Sequence, residues 1–549
     1  MKKLLCLLLA ALMLLSTVAC ADAATTETST ERETDAIAPE TEKPATDTNA
    51  DADTDADVDA DTDADADTDA STDADADADT DAEESETVAE TENLEDYQCN
   101  LPDNLNYNKE PINILYTIAS GREDELFVEE SGIGSIEEAV FERNQVVENQ
   151  LGVALELIGE SGDKTVSGKL DTDIKGGVGS YDMVVNGTYV AISSAINGYY
   201  TDLNSLNYID TSKHYWTQGY NALSTFTSDN RQYLASGSLA LTMFRLMFFT
   251  IYNQKVREDR QMEDLYDVVK RGDWTLDYQY NMITGLYDDS DSDGERTETD
   301  TYGFITGNII SMDPYMVAAG VPMITRDPED NSLVFNADVT SALSDLVDAV
   351  QKLVNDEGTY VFETADKDDV GKNYIAEAFA NDKSLMATIM FWNMEYNIEA
   401  LSALSYGIAP IPKFSTDQEY KSYVQDQVSS FAISAGIPEN RREMVAATLE
   451  ALAYHSYNII RPAYYTNTLS TKFMQSPESE DILTIIFDSL YFDFSQSCSG
   501  VVGGTALRDS LRPIMSGKSN NVASQVKSWS KSMPKQLRRV NTKLEKLAG

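Results

Sequence analysis

The chain is short of histidine, of basic residues, of cysteine and of long apolar runs, and each shortage closes off a class of function. Its two histidines, His214 and His455, have no Cys, His or acidic partner at metal-ligand spacing, so neither marks a zinc site and both read as surface or cap residues. Gly-x-Ser-x-Gly, His-Glu-x-x-His and Gly-rich Lys-Ser/Thr loops do not occur, and Gly176-Gly177-Val178-Gly179 lacks the preceding strand of a dinucleotide turn. Lys and Arg number 40 against 94 Asp and Glu, a balance that repels phosphate backbones and speaks against a nucleic-acid partner. Beyond residue 20 no apolar run approaches the roughly eighteen residues of a membrane span. The nearest, Leu239 to Tyr252, is interrupted by Arg245.

What is present begins with two lysines, an apolar stretch from Leu4 to Leu15 and small residues ending at Cys20, the pattern of a secretory signal. Thr17-Val18-Ala19-Cys20 resembles the lipobox of bacterial lipoproteins, with Thr17 where Leu is usual. The resemblance implies lipid on Cys20 and a membrane anchor, with ordinary cleavage and release as the alternative. Residues 21 to 100 hold 30 Asp and Glu against Arg32 and Lys43, with an acid at nearly every second position from Asp51 to Asp81. Ala and Thr between the acids give no face worth burying, so residues 21–105 read as a disordered, self-repelling tether. About eighty residues at up to ~3.3 Å each reach at most some 260 Å. Such a run has no Gly-pinned turn and offers calcium only loose association. Of four cysteines, Cys6 leaves with the signal and Cys20 takes the lipid. That leaves Cys99 and Cys498, whose pairing outside the membrane is open, because spacing does not show that they meet.

About 450 residues remain, enough for two or three domains. Ile112–Tyr116 reads as a strand. A helix follows from Ser135, with Glu137 and Glu138 in its first turn and Ala139, Val140, Val146 and Val147 on one stripe. Val153–Ile158 and Tyr181–Val185 read as strands and Leu170–Ile174 as a short helix. Alternating strand and helix imply an α/β layer with a mostly parallel sheet. Ligands collect beyond the carboxyl ends of such strands, which makes the turns at Ser120, Gly121 and at Asn186, Gly187 site candidates.

A family resemblance runs along this body. Ala139-Val140-Phe141-Glu142-Arg143-Asn144, Tyr181-Asp182-Met183-Val184, Phe249-Thr250-Ile251-Tyr252-Asn253, Gly272-Asp273-Trp274-Thr275, Tyr406-Gly407-Ile408-Ala409-Pro410 and Arg461-Pro462-Ala463-Tyr464-Tyr465 stand in this order. Together they resemble the family 1 extracellular solute-binding proteins, the sugar-capturing subunits of ABC importers. The resemblance implies an α/β, two-lobed periplasmic-binding-protein-like (class II) fold with discontinuous lobes and a hinge. Residues 106–248 and 430–475 would form lobe 1, and 249–429 and 476–549 lobe 2. One crossing is expected near Met243–Asn253 and another at Ser429–Gly436. The third is not placed.

A carbohydrate cleft combines aromatic faces with fixed polar groups. By the resemblance, Trp392 takes the sugar-stacking position and Trp216, beside Tyr215, that of a frequent tryptophan pair, while Arg245, Tyr464 and Tyr465 face the cleft. For each, packing in a lobe core is the alternative, and Trp274 reads as core outright. Asp289, Asp291, Asp293, Gly294, Thr297 and Asp300 occupy positions 1, 3, 5, 6, 9 and 12 of a calcium loop. A structural Ca2+ or a solvated acidic turn both suit them. The basic stretch from Lys518 to Lys546 reads as the solvated face of a closing helix. The expected function is that of a monomeric, lipid-anchored binding protein on the extracellular face of the cell membrane. It would capture a carbohydrate, an oligosaccharide, and deliver it to an ABC permease without chemistry. A surface-tethered glycan-degrading enzyme, needing two carboxylates across a cleft, or an adhesin are the alternatives.

Overall fold

The computed structural model describes residues 98–547 except for 120, 123, 129–134, 217–219, 221–224, 226, 364–373, 466–477, 498–500 and 502–506. Cys20, Ser120, Cys498 and most of the predicted tether lie outside the described residues. The end of that tether belongs instead to the folded body. Leu101 is buried in the core, and Asn100 donates from its backbone N–H to Tyr215 and from its side chain to the Tyr208 carbonyl.

Two sheets organise the chain. The first contains β1 (Glu110–Ile118), β2 (Val153–Ser161), β3 (Met183–Gly187) and the distant β12 (Ser429–Ile433), in the order β12-β3-β1-β2. β1 lies parallel to β2 and β3, with Ile112 opposite Leu155 and Leu115 opposite Val184, and β12 returns antiparallel to β3. Isoleucine, valine and leucine at these positions suit strands covered on both faces. The helix Ser135–Leu151 buries Ile136, Ala139, Val140, Val147 and Leu151 at helical spacing. Arg143 on the same stripe is also buried, its guanidinium donating to the Glu125 carbonyl and the Ser456 hydroxyl. Burial lowers its pKa to about 10 despite the nearby Glu125. The helix read from sequence as Leu170–Ile174 extends over Asp163–Gly176. Its first half is polar because Val166 is the one apolar residue buried there, beside the buried Asp163.

The second sheet has the order β11-β4-β10-β6-β5, built from β4 (Phe248–Asn253), β5 (Tyr287–Asp288), β6 (Thr301–Gly307), β10 (Ser384–Met390) and β11 (Tyr406–Ala409). β9 (Thr359–Phe362) adds parallel to β6. β4 runs antiparallel to both neighbours, so this sheet is mixed, whereas β1, β2 and β3 are parallel as the alternating pattern in their stretch predicts. β7 (Ile324–Arg326) and β8 (Leu333–Phe335) form a separate ribbon against the closing helix Val522–Leu547.

The chain passes between the sheets at adjoining places. The helix Leu241–Arg245 leads through Met247 into β4, and the return runs through Val424 to β12. These two passages pair with each other: Met247 bridges Val424, Phe248 N–H donates to the Tyr423 carbonyl and Gln425 N–H to that of Leu246. The helix Glu439–His455 packs on Ser135–Leu151, whereas Glu478–Asp488 packs on β11.

Candidate functional site

The segment after β1, the two paired passages and the segment after β10 meet at one place. Gly121 follows β1 in the left-handed region, with φ +79°, a conformation that costs glycine nothing and other residues roughly a kcal/mol or more. A Cβ there would stand 3.6 Å from the ring of Trp392. Trp392 opens the short helix Phe391–Tyr396 directly after β10, whose end is tied to the first passage by a bond from Phe391 N–H to the Met247 carbonyl. Its half-buried ring lies under the Arg245 guanidinium, 4.7 Å from ring centroid to Cζ, within cation–π range. The indole N–H is buried with no partner among the described residues.

Arg245 is held on several sides. It donates to both carboxylate oxygens of Asp124, at 2.5 and 2.9 Å, to Glu395 at 3.1 Å and to the Gly121 carbonyl at 3.2 Å. Burial works to lower its pKa, but Glu395 and Asp124 override that and hold it above the ordinary arginine value. Glu395 also accepts from the Tyr464 hydroxyl at 2.6 Å, and the Tyr464 ring stacks on Phe244 with centroids 5.1 Å apart. Just behind, buried Glu125 accepts from the N–H and hydroxyl of Thr242 in the first passage and from the Ser429 hydroxyl in the second. Burial raises its pKa against these bonds. One carboxylate thus ties the loop after β1 to both passages.

The other predicted turn, Asn186-Gly187, joins a second polar knot. Asp163 accepts from Arg122 at 2.6 Å, from Gly187 N–H and from the Tyr189 hydroxyl, and Arg122 also reaches the Gln427 carbonyl. Burial works against the Asp163 carboxylate, but Arg122 and these donors hold its pKa below the usual range. Across the passage, Arg508 donates to Asp426 at 2.6 Å, and Arg512 binds buried Asp313 through two nitrogens. Arg122, Arg245, Arg508 and Arg512 thus each meet a carboxylate along the seam, whereas Glu125 is held by neutral donors.

The sequence-predicted residues divide accordingly. Trp392, Arg245 and Tyr464 come together here, with Tyr464 fully buried and reaching Arg245 through Glu395. Trp216 does not join them: it is fully buried within lobe 1, its indole N–H donating at 2.9 Å to Glu450. Its core alternative is the one observed. Tyr465 lines a separate groove of about 310 Å³ with Phe244, Tyr457, Arg461 and Phe487. Trp274 is core, donating to the Pro410 carbonyl. Asp124 and Glu395 were not anticipated. Glu395 stands three residues after Trp392, one helical turn on, and that spacing is the signal that reveals it.

At the opposite end of lobe 2, where β6 begins, Asp289, Asp291 and Asp293 bring ligand oxygens within 4.8 Å of one another. Gly294 turns the loop at φ +77°. Asp300 instead accepts from Ser290 and Thr297 N–H and from the Tyr287 and Tyr302 hydroxyls. Three oxygen donors fit a hard cation, while Asp300 closes the loop on itself.

No protein family and no curated protein matches the chain. Solved structures do. A sugar transporter from Rhizobium etli in an open conformation is 12% identical, covering 78% of this chain and 99% of its own, with a TM-score of 0.51. The maltose/maltodextrin-binding domain from Bdellovibrio bacteriovorus bound to maltotriose is 14% identical over 78% and 100%, with a TM-score of 0.47. An ABC substrate-binding protein from Listeria monocytogenes in complex with cycloalternan is 14% identical over 80% and 99%, with a TM-score of 0.46. The chain has the two-lobed periplasmic-binding-protein-like fold. In fold it is similar to the sugar transporter from Rhizobium etli.

Proposed function

We propose that the protein is an extracellular solute-binding protein, anchored by lipid on Cys20, that captures an oligosaccharide between its lobes for an ABC permease. The observation that carries this reading is Trp392. A half-buried aromatic face with an unpartnered N–H stands where both lobes and two passages meet, among ionised groups already fixed by partners. Sugars offer such a face flat C–H surfaces and hydroxyls. The Rhizobium etli protein of similar fold is described as a sugar transporter, which makes sugars the first class to test. Binding energy would come from burying the sugar on the ring and pairing its hydroxyls, and the ligand would favour the closed arrangement by its greater affinity for it. Calorimetry with neutral mono- and oligosaccharides, followed by small-angle scattering of free and loaded protein, tests this. A saturable ligand recovered intact, with a more compact profile, is expected. Release of reducing ends, or identical profiles with every sugar, overturns the reading.

The same reading gives Asp289, Asp291, Asp293 and Thr297 a structural Ca2+, remote from Trp392. Calcium should raise the melting temperature and chelator should lower it, and Asp291→Asn should abolish the difference. An equal melting temperature in calcium and in chelator would leave the segment a solvated turn.

A further inference from the structure

The closing helix Val522–Leu547 turns Val526, Trp529, Met533, Leu537, Val540 and Leu544 inward. On its exposed side Lys531, Lys535, Arg539 and Lys543 recur every fourth residue, about 6 Å apart and spanning about 18 Å. They line one wall of a groove of about 700 Å³ whose other wall is Ser193, Ile196 and Asn197 of the lobe 1 helix Thr188–Ile196. No acidic residue lines it among the described residues. In a chain of formal net charge −54, none of these four cations enters an ion pair among the described residues. Neutral hydrogen-bonding groups stand between them. Lys543 donates to Asn197 at 2.9 Å across the groove, and Gln536 Oε1 is buried with no partner among the described residues.

We propose that this groove binds an anionic oligosaccharide. Its carboxylate or sulfate groups would lie on Lys531, Lys535 and Arg539, and its hydroxyls on Ser193, Asn197, Ser532 and Gln536. The inference rests on the carbohydrate reading and adds a second sugar site, apart from Trp392. The groove's volume suits a ligand of a few rings. Evenly spaced cations with no acidic partner among the described residues match a chain with one charge per ring, and the neutral groups between them match its hydroxyls. A bare polyanion would leave those neutral groups unused.

The test is calorimetry on the full chain with trigalacturonate, a sulfated trisaccharide and neutral maltotriose, at 50 and 300 mM NaCl, on wild type and a Lys531→Ala/Lys535→Ala/Arg539→Ala variant. These side chains are exposed, and a melting curve checks the variant's fold. Lys535→Glu serves as a second variant. At least one acidic sugar should bind about tenfold tighter than maltotriose, lose about tenfold in either variant, and weaken at the higher salt. Which acidic sugar binds distinguishes carboxylate from sulfate. Equal binding of maltotriose and acidic sugars, or affinity unchanged in both variants, overturns the proposal while leaving the carbohydrate reading intact. Competition by polyglutamate as strong as by the sugars also overturns it, identifying a general polyanion surface. Binding of no sugar at all removes both readings.

Discussion

Arg245 and the cations of the closing helix carry the same charge in opposite circumstances. Arg245 is sunk between the lobes with Asp124, Glu395, a backbone carbonyl and an indole face around it. Lys531, Lys535, Arg539 and Lys543 stand in water with no carboxylate against them among the described residues. The contrast separates two uses of charge. A buried cation must be matched from within and so becomes part of the architecture, whereas an exposed unmatched one costs the fold little and remains open to a partner.

The largest effect should come from breaking the buried side. Arg245→Met leaves two carboxylates facing each other in poor solvation and should destabilise the protein by about 3 kcal/mol or more, read by denaturant titration. A loss under about 1 kcal/mol would place Arg245 with the surface cations and erase the contrast. Glu450 tests an intermediate case, a buried acid whose partners, Tyr215 and Trp216, are neutral. Burial pushes its pKa up to about 7, against those two donors. A folded-state pKa above the unfolded value means the native state holds the extra proton, so stability should fall as pH rises from about 4.5 to about 7 and then level off. Glu450→Gln should flatten that slope, and an unchanged slope would assign it to other groups.

Trp392→Ala should weaken any oligosaccharide ligand by at least about tenfold, or about 1.4 kcal/mol, with calorimetry as the readout. An unaffected affinity removes the ring from the site. Smallest of all, Lys535→Ala should shift stability by no more than about 0.5 kcal/mol. A larger loss would mean that the stripe holds the fold together and is not free for a ligand.

Much of this arrangement was legible in the sequence where local pattern decides it. β1, β2 and β3 announce themselves as apolar runs between turns, and β12 falls within the crossing expected at Ser429–Gly436. Trp392 is recognisable because it directly follows the strand Ser384–Met390. What escaped depends on distance along the chain. Trp216 meets Glu450 across 234 residues, and nothing near it indicates that its N–H finds a buried acid instead of a cleft. Arg245 is bound to Asp124 from 121 residues away and to Glu395 from 150, so its partners were invisible even though its position was not. β4 runs against its neighbours because the chain enters lobe 2 from the seam, a matter of topology that periodicity does not encode.

The two passages between the lobes run side by side, laced by main-chain bonds at Leu246–Gln425 and Phe248–Tyr423 on either side of the opposed pair Met247 and Val424. A ribbon of this kind folds readily across its flat face yet resists shearing within its own plane, because shearing would break the lacing. Under the proposed closure, one half would swing against the other about this line. Since the lacing uses peptide groups alone, side chains there can change through evolution while the direction of swing is inherited unaltered.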